Sequence, residues 1–214
     1  MTGYNGTLDE RSDVELQIIA GELCLDFVNT LDNRPVPDRQ TELLPTYQDL
    51  ADWALQAGAI SSLQRAALLR EAGSHPKAAE QALSKAVELR ECLYRIISST
   101  LRNRRASSDD LVAFNAYRGE ALSNLQLKAA RSGFRLGWTD DPSRLDSILW
   151  PIVRSASELL TSPDLENVRE CDMPACRWIF VDRSKNHRRR WCDMKVCGNR
   201  AKARKFYRSH KSAS

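Results

Sequence analysis

The 214-residue sequence lacks the signatures of several large protein classes. No apolar run approaches the roughly 20 residues that a membrane-spanning helix needs, and residues 1–9 are too polar for the core of a signal peptide. The sequence also has no glycine-rich phosphate loop, no HExxH motif and no GxSxG motif. We therefore expect a cytoplasmic protein that has no membrane partner and is not an enzyme.

The composition is that of a folded globular protein, with 42% hydrophobic and 28% charged residues. Its charge, however, is unevenly distributed. Residues 171–214 hold 13 Lys+Arg against 3 Asp+Glu, whereas residues 1–170 hold 19 Lys+Arg against 25 Asp+Glu. This asymmetry predicts an acidic body that carries a basic end suited to a polyanion.

The pattern of apolar residues predicts a fold that is mainly α with one β-hairpin. Alternation over residues 125–138 indicates a half-buried hairpin, and Pro151 should kink or break the helix that contains it. We place a domain boundary at residues 161–165, between a helical N-terminal domain (1–163, the body) and a small C-terminal segment (164–214, the finger). Helical periodicity and capping signals predict helices at 22–33, 46–58, 62–72, 76–104, from Ser108, and from Asp141.

Four of the six cysteines lie in the finger as two Cys-x4-Cys pairs separated by 15 residues. This spacing is close to that of four-cysteine zinc sites, and metal binding would fold a segment with little apolar content. Four thiolates leave no position for water, so the Zn²⁺ would be structural. Four free thiols and an iron–sulfur cluster are the alternatives. The predicted metal ligands are Cys171, Cys176, Cys192 and Cys197.

The segments around these cysteines predict a treble-clef or zinc-ribbon-like finger. Residues 177–181 alternate like a strand, Arg190–Trp191 would be the returning strand, and residues 201–208 have a helical pattern. This arrangement places Cys197 at the helix N-terminus, where the helix dipole favours a thiolate. The apolar side of the helix, with Phe206 and Tyr207, is expected to pack on the finger's aromatic residues.

Two segments resemble known families. Residues 191–204, WCDMKVCGNRAKAR, resemble the CGNR zinc finger, and CDMPACRWIFVD at 171–182 resembles the upstream half of that finger. Residues 21–30, GELCLDFVNT, resemble the ABATE domain that usually precedes it. The two resemblances cover nearly the whole chain and imply a bacterial, stress-induced transcription regulator.

The cations around the predicted zinc site form the candidate nucleic-acid surface. Arg200, Arg204 and Arg208 recur every four residues and so share one side of the predicted helix. Guanidinium groups suit phosphates and guanine edges, which favours duplex DNA as the partner. The same cations could instead form a solvated face or dock on the acidic body. The candidate residues are Arg188, Arg189, Arg190, Lys195, Arg200, Lys202, Arg204, Lys205 and Arg208.

Two of the residues next to Cys197 have more than one interpretation. Asn199 could read a base, but we favour a hydrogen bond to the knuckle backbone or to a cysteine sulfur, which would support the metal ligands. Arg200 could pair with Asp182 or Asp193 instead of meeting a phosphate. The sequence leaves both alternatives open for Arg200.

Three polar residues interrupt the apolar helix predicted at 22–33. Asp26, Asn29 and Thr30 could line a pocket for a small-molecule effector, or they could hydrogen-bond to neighbouring elements, as most buried polar groups do. The predicted function is a DNA-binding transcription regulator, and the alternative is a zinc-stabilised module that binds RNA or protein. A homodimer is plausible, because one short finger offers little specificity.

Overall fold

The computed structural model describes residues 17–211, and the side chains in that range except those of residue 205 and residues 207–211. The strands form three antiparallel pairs, β1–β2, β3–β4 and β5–β6. The helices are α1 Leu23–Val28, α2 Tyr47–Gln56, α3 Ser62–Ser74, α4 Pro76–Leu101, α5 Ser108–Ser123, α6 Trp150–Leu160 and α7 Asn199–Lys211. The strands are β1 Leu31–Asp32, β2 Thr41–Glu42, β3 Leu125–Ala129, β4 Phe134–Trp138, β5 Val168–Glu170 and β6 Ile179–Val181.

Local sequence signals begin several of these helices. The Thr46 hydroxyl accepts from the Asp49 backbone N–H and the Asp49 carboxylate accepts from the Thr46 N–H, which is a complete capping box at α2. Pro76 occupies the first position of α4, as predicted. The side chain of Ser107 caps α5, whereas the sequence predicts Ser108 as the cap, one residue later. These helix starts are therefore encoded within a few residues of chain.

The core of the body forms around α4, which contacts α1, α2, α3 and α5. Leu89, Leu93 and Ile97 lie four residues apart along α4 and are fully buried. On the neighbouring helices, the rings of Phe27 and Trp53 meet at 5.4 Å between centroids. Because α4 packs against four helices, its buried stripe supplies the centre of the hydrophobic core.

The structure corrects two helix predictions. The helix expected at 22–33 ends at Val28, because the chain then turns into β1 and reaches a positive φ of 51° at Asn33. The last helix of the body, predicted from Asp141, begins only at Leu145 and is divided into a 3₁₀ turn, Leu145–Leu149, and α6. Pro151 stands in the first turn of α6, so the predicted break is confirmed.

The predicted β-hairpin is confirmed as β3–β4, but it is more exposed than expected. Leu127, Phe134 and Leu136 expose 67%, 73% and 51% of their surface. The body covers only the base of this hairpin, where Trp138 meets Trp150 at 5.9 Å between ring centroids. The expectation of a half-buried hairpin was therefore wrong for its outer part.

The finger contains a short hairpin and a helix, but the pairing of its strands differs from the prediction. β6 pairs with β5, in the register Val168↔Val181 and Glu170↔Ile179, and not with Arg190–Trp191. The Arg190 carbonyl instead accepts from the Asp172 N–H. A mainly helical body with a treble-clef-like finger is thus confirmed. One continuous cluster of buried residues crosses residues 161–165, so the domain boundary stays a prediction.

Candidate metal centre and the basic helix that follows it

The four cysteines of the finger are brought together by a hairpin turn and a helix start. Cys171 and Cys176 lie in the turn between β5 and β6, which is held by bonds from Cys171 N to the Trp178 carbonyl (2.8 Å) and from Cys176 N to the Met173 carbonyl (2.9 Å). Cys192 precedes the π turn Met194–Gly198 that leads into α7, and Cys197 lies within that turn. The two pairs therefore come from a knuckle and from a helix N-terminus.

The positions of the sulfur atoms fit a tetrahedral ion. All four Sγ atoms lie within 4.8 Å of one another, and Cys192 Sγ is 3.6 Å from both Cys176 Sγ and Cys197 Sγ. Four zinc–sulfur bonds of about 2.3 Å place the sulfurs of a tetrahedron about 3.8 Å apart. The cysteines expose between 0% and 9% of their surface. Hydrogen bonds from Cys176, Cys192 and Cys197 lower the pKa of Cys171, whereas hydrogen bonds within the cluster and burial raise the pKa of Cys176 and of Cys192. The contacts among the four sulfurs therefore favour the thiolate at Cys171.

The second cysteine pair is supported by a capped helix start. The Asp193 carboxylate accepts from the Val196 backbone N–H at 2.7 Å and so caps the π turn. The Asn199 amide donates to the Lys195 carbonyl at 2.8 Å, and Asn199 itself is exposed. Asn199 thus bonds to the backbone between Cys192 and Cys197, in agreement with the alternative favoured from the sequence, and its influence on the metal ligands stays a prediction.

Arg189 and Asp182 hold the loop between β6 and Cys192. The fully buried Asp182 accepts from the Ser184 N–H at 2.9 Å and from the Arg189 N–H at 2.7 Å; although burial opposes it, these bonds lower the pKa of Asp182. The Arg189 guanidinium donates to the carbonyls of Trp191 (2.9 Å) and Cys192 and lies 4.5 Å from the centroid of the Phe180 ring. Arg189 is therefore occupied within the finger.

The remaining candidate cations differ in their exposure and in whether they pair with residues of the finger. Arg190 pairs with Asp172 at 2.6 Å and lies over the Trp191 ring. Lys205 and Arg208 are on α7, but their side chains lie outside the described residues. Among the described residues, no ion pair joins Arg200 to Asp182 or Asp193. The exposed candidates with described side chains, besides Arg190, are Arg188, Lys195, Arg200, Lys202 and Arg204.

The residues expected on the apolar side of α7 are largely exposed where their side chains are described. Ala203 is exposed and Phe206 exposes 59% of its surface, while only Ala201 is half-buried against the core. The aromatic residues have other partners: the Trp178 indole N–H donates to the Asp32 carboxylate of the body at 2.9 Å. Tyr207 lies outside the described side chains. Beyond Ala201, the described part of α7 is therefore exposed.

Asp26 fixes the segment that leads into α1. Its Oδ1 atom accepts from the backbone N–H groups of Ile19 and Ala20, both at 2.8 Å. The Ala20 carbonyl in turn accepts from the N–H of Val181 in β6, also at 2.8 Å. Burial raises the pKa of Asp26 to about 6, although the two N–H donors lower it. Asp26 thus holds residues 19–20 in the position from which Ala20 hydrogen-bonds to β6.

Asn29 and Thr30 are also hydrogen-bonded within the chain. The Asn29 amide donates to the Ile179 carbonyl at 2.8 Å and accepts from the Ile179 N–H at 2.9 Å, as a neighbouring strand would. The Thr30 hydroxyl donates to the Phe27 carbonyl and accepts from Arg90 at 3.2 Å. These contacts match the hydrogen-bonding alternative considered from the sequence, and a ligand pocket at these residues stays a prediction.

Further contacts that position distant segments carry no signal in the sequence. Trp178 bonds to Asp32 across 146 residues of sequence, and the Arg183 guanidinium donates to the Gly21 carbonyl at 2.9 Å across 162 residues. Within the body, Arg90, which is 2% exposed, makes a bidentate pair with Glu42 at 2.7 Å for both bonds. No local spacing signals such contacts, since each depends on how distant segments pack.

The comparisons with known families agree with this geometry. A family model named ABATE, described as "Putative stress-induced transcription regulator", matches residues 21–163, and the CGNR zinc finger model matches residues 167–210. Among curated proteins, none matches the chain. Within residues 17–211, no helix is both long enough and apolar enough to cross a bilayer. The matched finger and the four clustered sulfurs together identify a structural zinc site.

Proposed function

Because the chain belongs to the ABATE family and carries a CGNR zinc finger, we propose that it is a cytoplasmic transcription regulator whose finger binds duplex DNA. It acts by binding and not by catalysis, because four sulfur ligands close the coordination of the zinc ion. The observation that carries the proposal is the exposed, basic start of α7, held directly on the zinc site.

The zinc ion determines how α7 is presented. Cys197 lies in the turn that leads into α7, so a metal–sulfur bond fixes the start of this helix relative to the knuckle. The 13 residues of α7 extend about 20 Å, enough to lie along a major groove about 12 Å wide. Lys195, Arg200 and Lys202 are exposed within two turns of this anchor. Their charges are therefore available to phosphates.

The body has a supporting role in this proposal. The Asn29 side chain and the Ala20 carbonyl hydrogen-bond to the backbone of β6, on the edge that does not pair with β5, so these bonds hold the finger against the body. A change in the body can therefore alter the position of α7. The proposal assigns no effector to Asp26, Asn29 and Thr30, because their side chains are engaged by groups of the chain itself.

Fluorescence anisotropy with a labelled duplex of about 30 base pairs tests the proposal over about 50–200 mM salt. Each phosphate contact contributes about 0.9 to the slope of log K against log salt. The triple variant Arg200→Ala/Lys202→Ala/Arg204→Ala should therefore flatten the slope by up to about 2.7. Each chain should still contain zinc, because none of the three residues is a metal ligand.

A charge-matched control separates a specific surface from net charge. The variant Arg102→Ala/Arg104→Ala/Arg105→Ala removes three exposed cations from the loop between α4 and α5 and should leave the slope unchanged. If both triple variants reduced the salt slope and the affinity for the duplex equally, a specific role for α7 would be contradicted. Tighter binding to single-stranded RNA than to the duplex would favour an RNA-binding module instead.

A further inference from the structure

The β3–β4 hairpin has one apolar face that the body covers only at its base. In an antiparallel pair, side chains alternate between the two faces, so the directly opposed residues of every second pair share a face. The polar face carries the pairs Gln126↔Gly137 and Lys128↔Arg135. The apolar face carries the pairs Leu125↔Trp138, Leu127↔Leu136 and Ala129↔Phe134. An isolated two-stranded hairpin is marginal in water, so its bare apolar face needs a partner.

A groove opens beneath the same face. It lies between the hairpin and helices α5 and α6 and has a volume of about 250 Å³. Leu122, Leu125 and Val153 are among its walls, and Leu122 is 48% exposed. Phe134 lies outside the groove, about 13 Å along β4 from the wall residue Trp138. The surface thus combines an empty apolar groove with a projecting aromatic ring.

We propose that this surface binds a second copy of the chain about a twofold axis, with Phe134 of each copy in the groove of the other. Twofold pairing requires a self-complementary surface, and here the ring and the groove lie on one surface of the same chain. A cavity of about 150 Å³ accommodates a benzene ring, so the groove has room for a phenyl side chain.

The apolar area agrees with a dimer interface. Leu122, Leu127, Phe134 and Leu136 expose 48%, 67%, 73% and 51% of their surface. At about 100–150 Å² for a whole side chain, they present roughly 250–350 Å² of apolar surface. A standard interface buries about 800 Å² on each partner, of which about 60% is apolar. These four side chains therefore supply more than half of the apolar area required.

The dimer would increase the specificity of DNA binding, and this role rests on the proposed function. A single short finger contacts few base pairs, whereas a twofold dimer presents two fingers to two half-sites. The residues of this surface are not among the candidate nucleic-acid residues, so pairing through the hairpin uses none of the exposed cations at the start of α7. The existence of the dimer can be tested without DNA, so the two ideas can fail separately.

The test is the mass of the zinc-loaded full chain in solution, measured by analytical ultracentrifugation up to about 100 µM. The wild type should sediment as a dimer. In the variant Leu127→Thr/Phe134→Thr, the dissociation constant should rise at least about thirty-fold. Threonine retains the strand propensity of both positions, so the hairpin should persist. Zinc content and far-UV circular dichroism equal to the wild type would show that the variant is folded.

Val112→Thr is the matched control. Val112 is 71% exposed and lies ten residues before Leu122 on α5, about 15 Å away, so this variant should remain dimeric. A wild-type chain that stays monomeric at about 100 µM would overturn the inference, even if the surface captured another protein. Dimers that persist unchanged in the double variant would overturn it as well. If the chain did not bind duplex DNA, the proposed function would be contradicted, but the dimer proposal would not be affected.

Discussion

Asn29 offers the sharpest test of how the body holds the finger. Its amide makes two hydrogen bonds to the backbone of Ile179, which is fully buried in β6. Replacing it with alanine leaves a buried N–H and a buried carbonyl unpaired. Each unpaired group costs about 1–3 kcal/mol, so we expect Asn29→Ala to lower the free energy of unfolding by about 2–6 kcal/mol.

Urea unfolding followed by tryptophan fluorescence measures this loss. With a slope of about 2 kcal/mol per molar urea, the midpoint should fall by roughly 1–3 M. Hydrogen exchange at the Ile179 amide should accelerate, because this N–H loses its acceptor. Asn29→Leu keeps the volume but not the hydrogen bonds, so it should lose nearly as much stability and thereby exclude a cavity as the main cause.

Asn115→Ala is the control, because Asn115 is exposed on α5 and its replacement should change stability by less than about 0.5 kcal/mol. The reasoning would be refuted if Asn29→Ala cost less than about 1 kcal/mol and left exchange at Ile179 unchanged. In that case the edge of β6 would not depend on the body.

Three further predictions concern the finger and its contact with the body. The pKa of Asp26 is raised from its ordinary 3.8 to about 6, so its proton stabilises the folded chain below pH 3.8 and this contribution is lost as the pH rises through 6. Relative to Asp26→Asn, the wild type should lose roughly 2.5 kcal/mol of stability between pH 4 and pH 7 in urea titrations. Zinc binding to such sites stabilises the fold by on the order of 10 kcal/mol. Removal of zinc by a chelator, or the variant Cys197→Ser, should therefore abolish the near-UV circular dichroism of the finger tryptophans. The bound metal should fall below one ion per chain. Arg189→Ala should cost about 1–3 kcal/mol in thermal unfolding because two carbonyls lose a charged donor, whereas the exposed Arg188→Ala should change stability by less than about 0.5 kcal/mol.

Local signals in the sequence were sufficient for most elements. The capping box at Thr46, the proline at the start of α4 and the alternation in β3–β4 each depend on residues close together in the chain. The cysteine spacing predicted the zinc site for a similar reason, because a knuckle and a helix start supply two ligands each. The pairing of β6 was mispredicted, because both Arg190–Trp191 and Val168–Glu170 are close enough in sequence to pair.

The sequence by itself determined the helical body, the exposed basic end and the four metal ligands, since periodicity, charge and cysteine spacing are local properties. Only the tertiary structure decided which cations are free, because Arg189 and Arg190 find partners within the finger. The tertiary structure also decided that the Asn29 side chain hydrogen-bonds to β6 as a neighbouring strand would, and that the apolar face of the hairpin is exposed. Such properties depend on contacts between residues far apart in the chain, which local patterns do not encode.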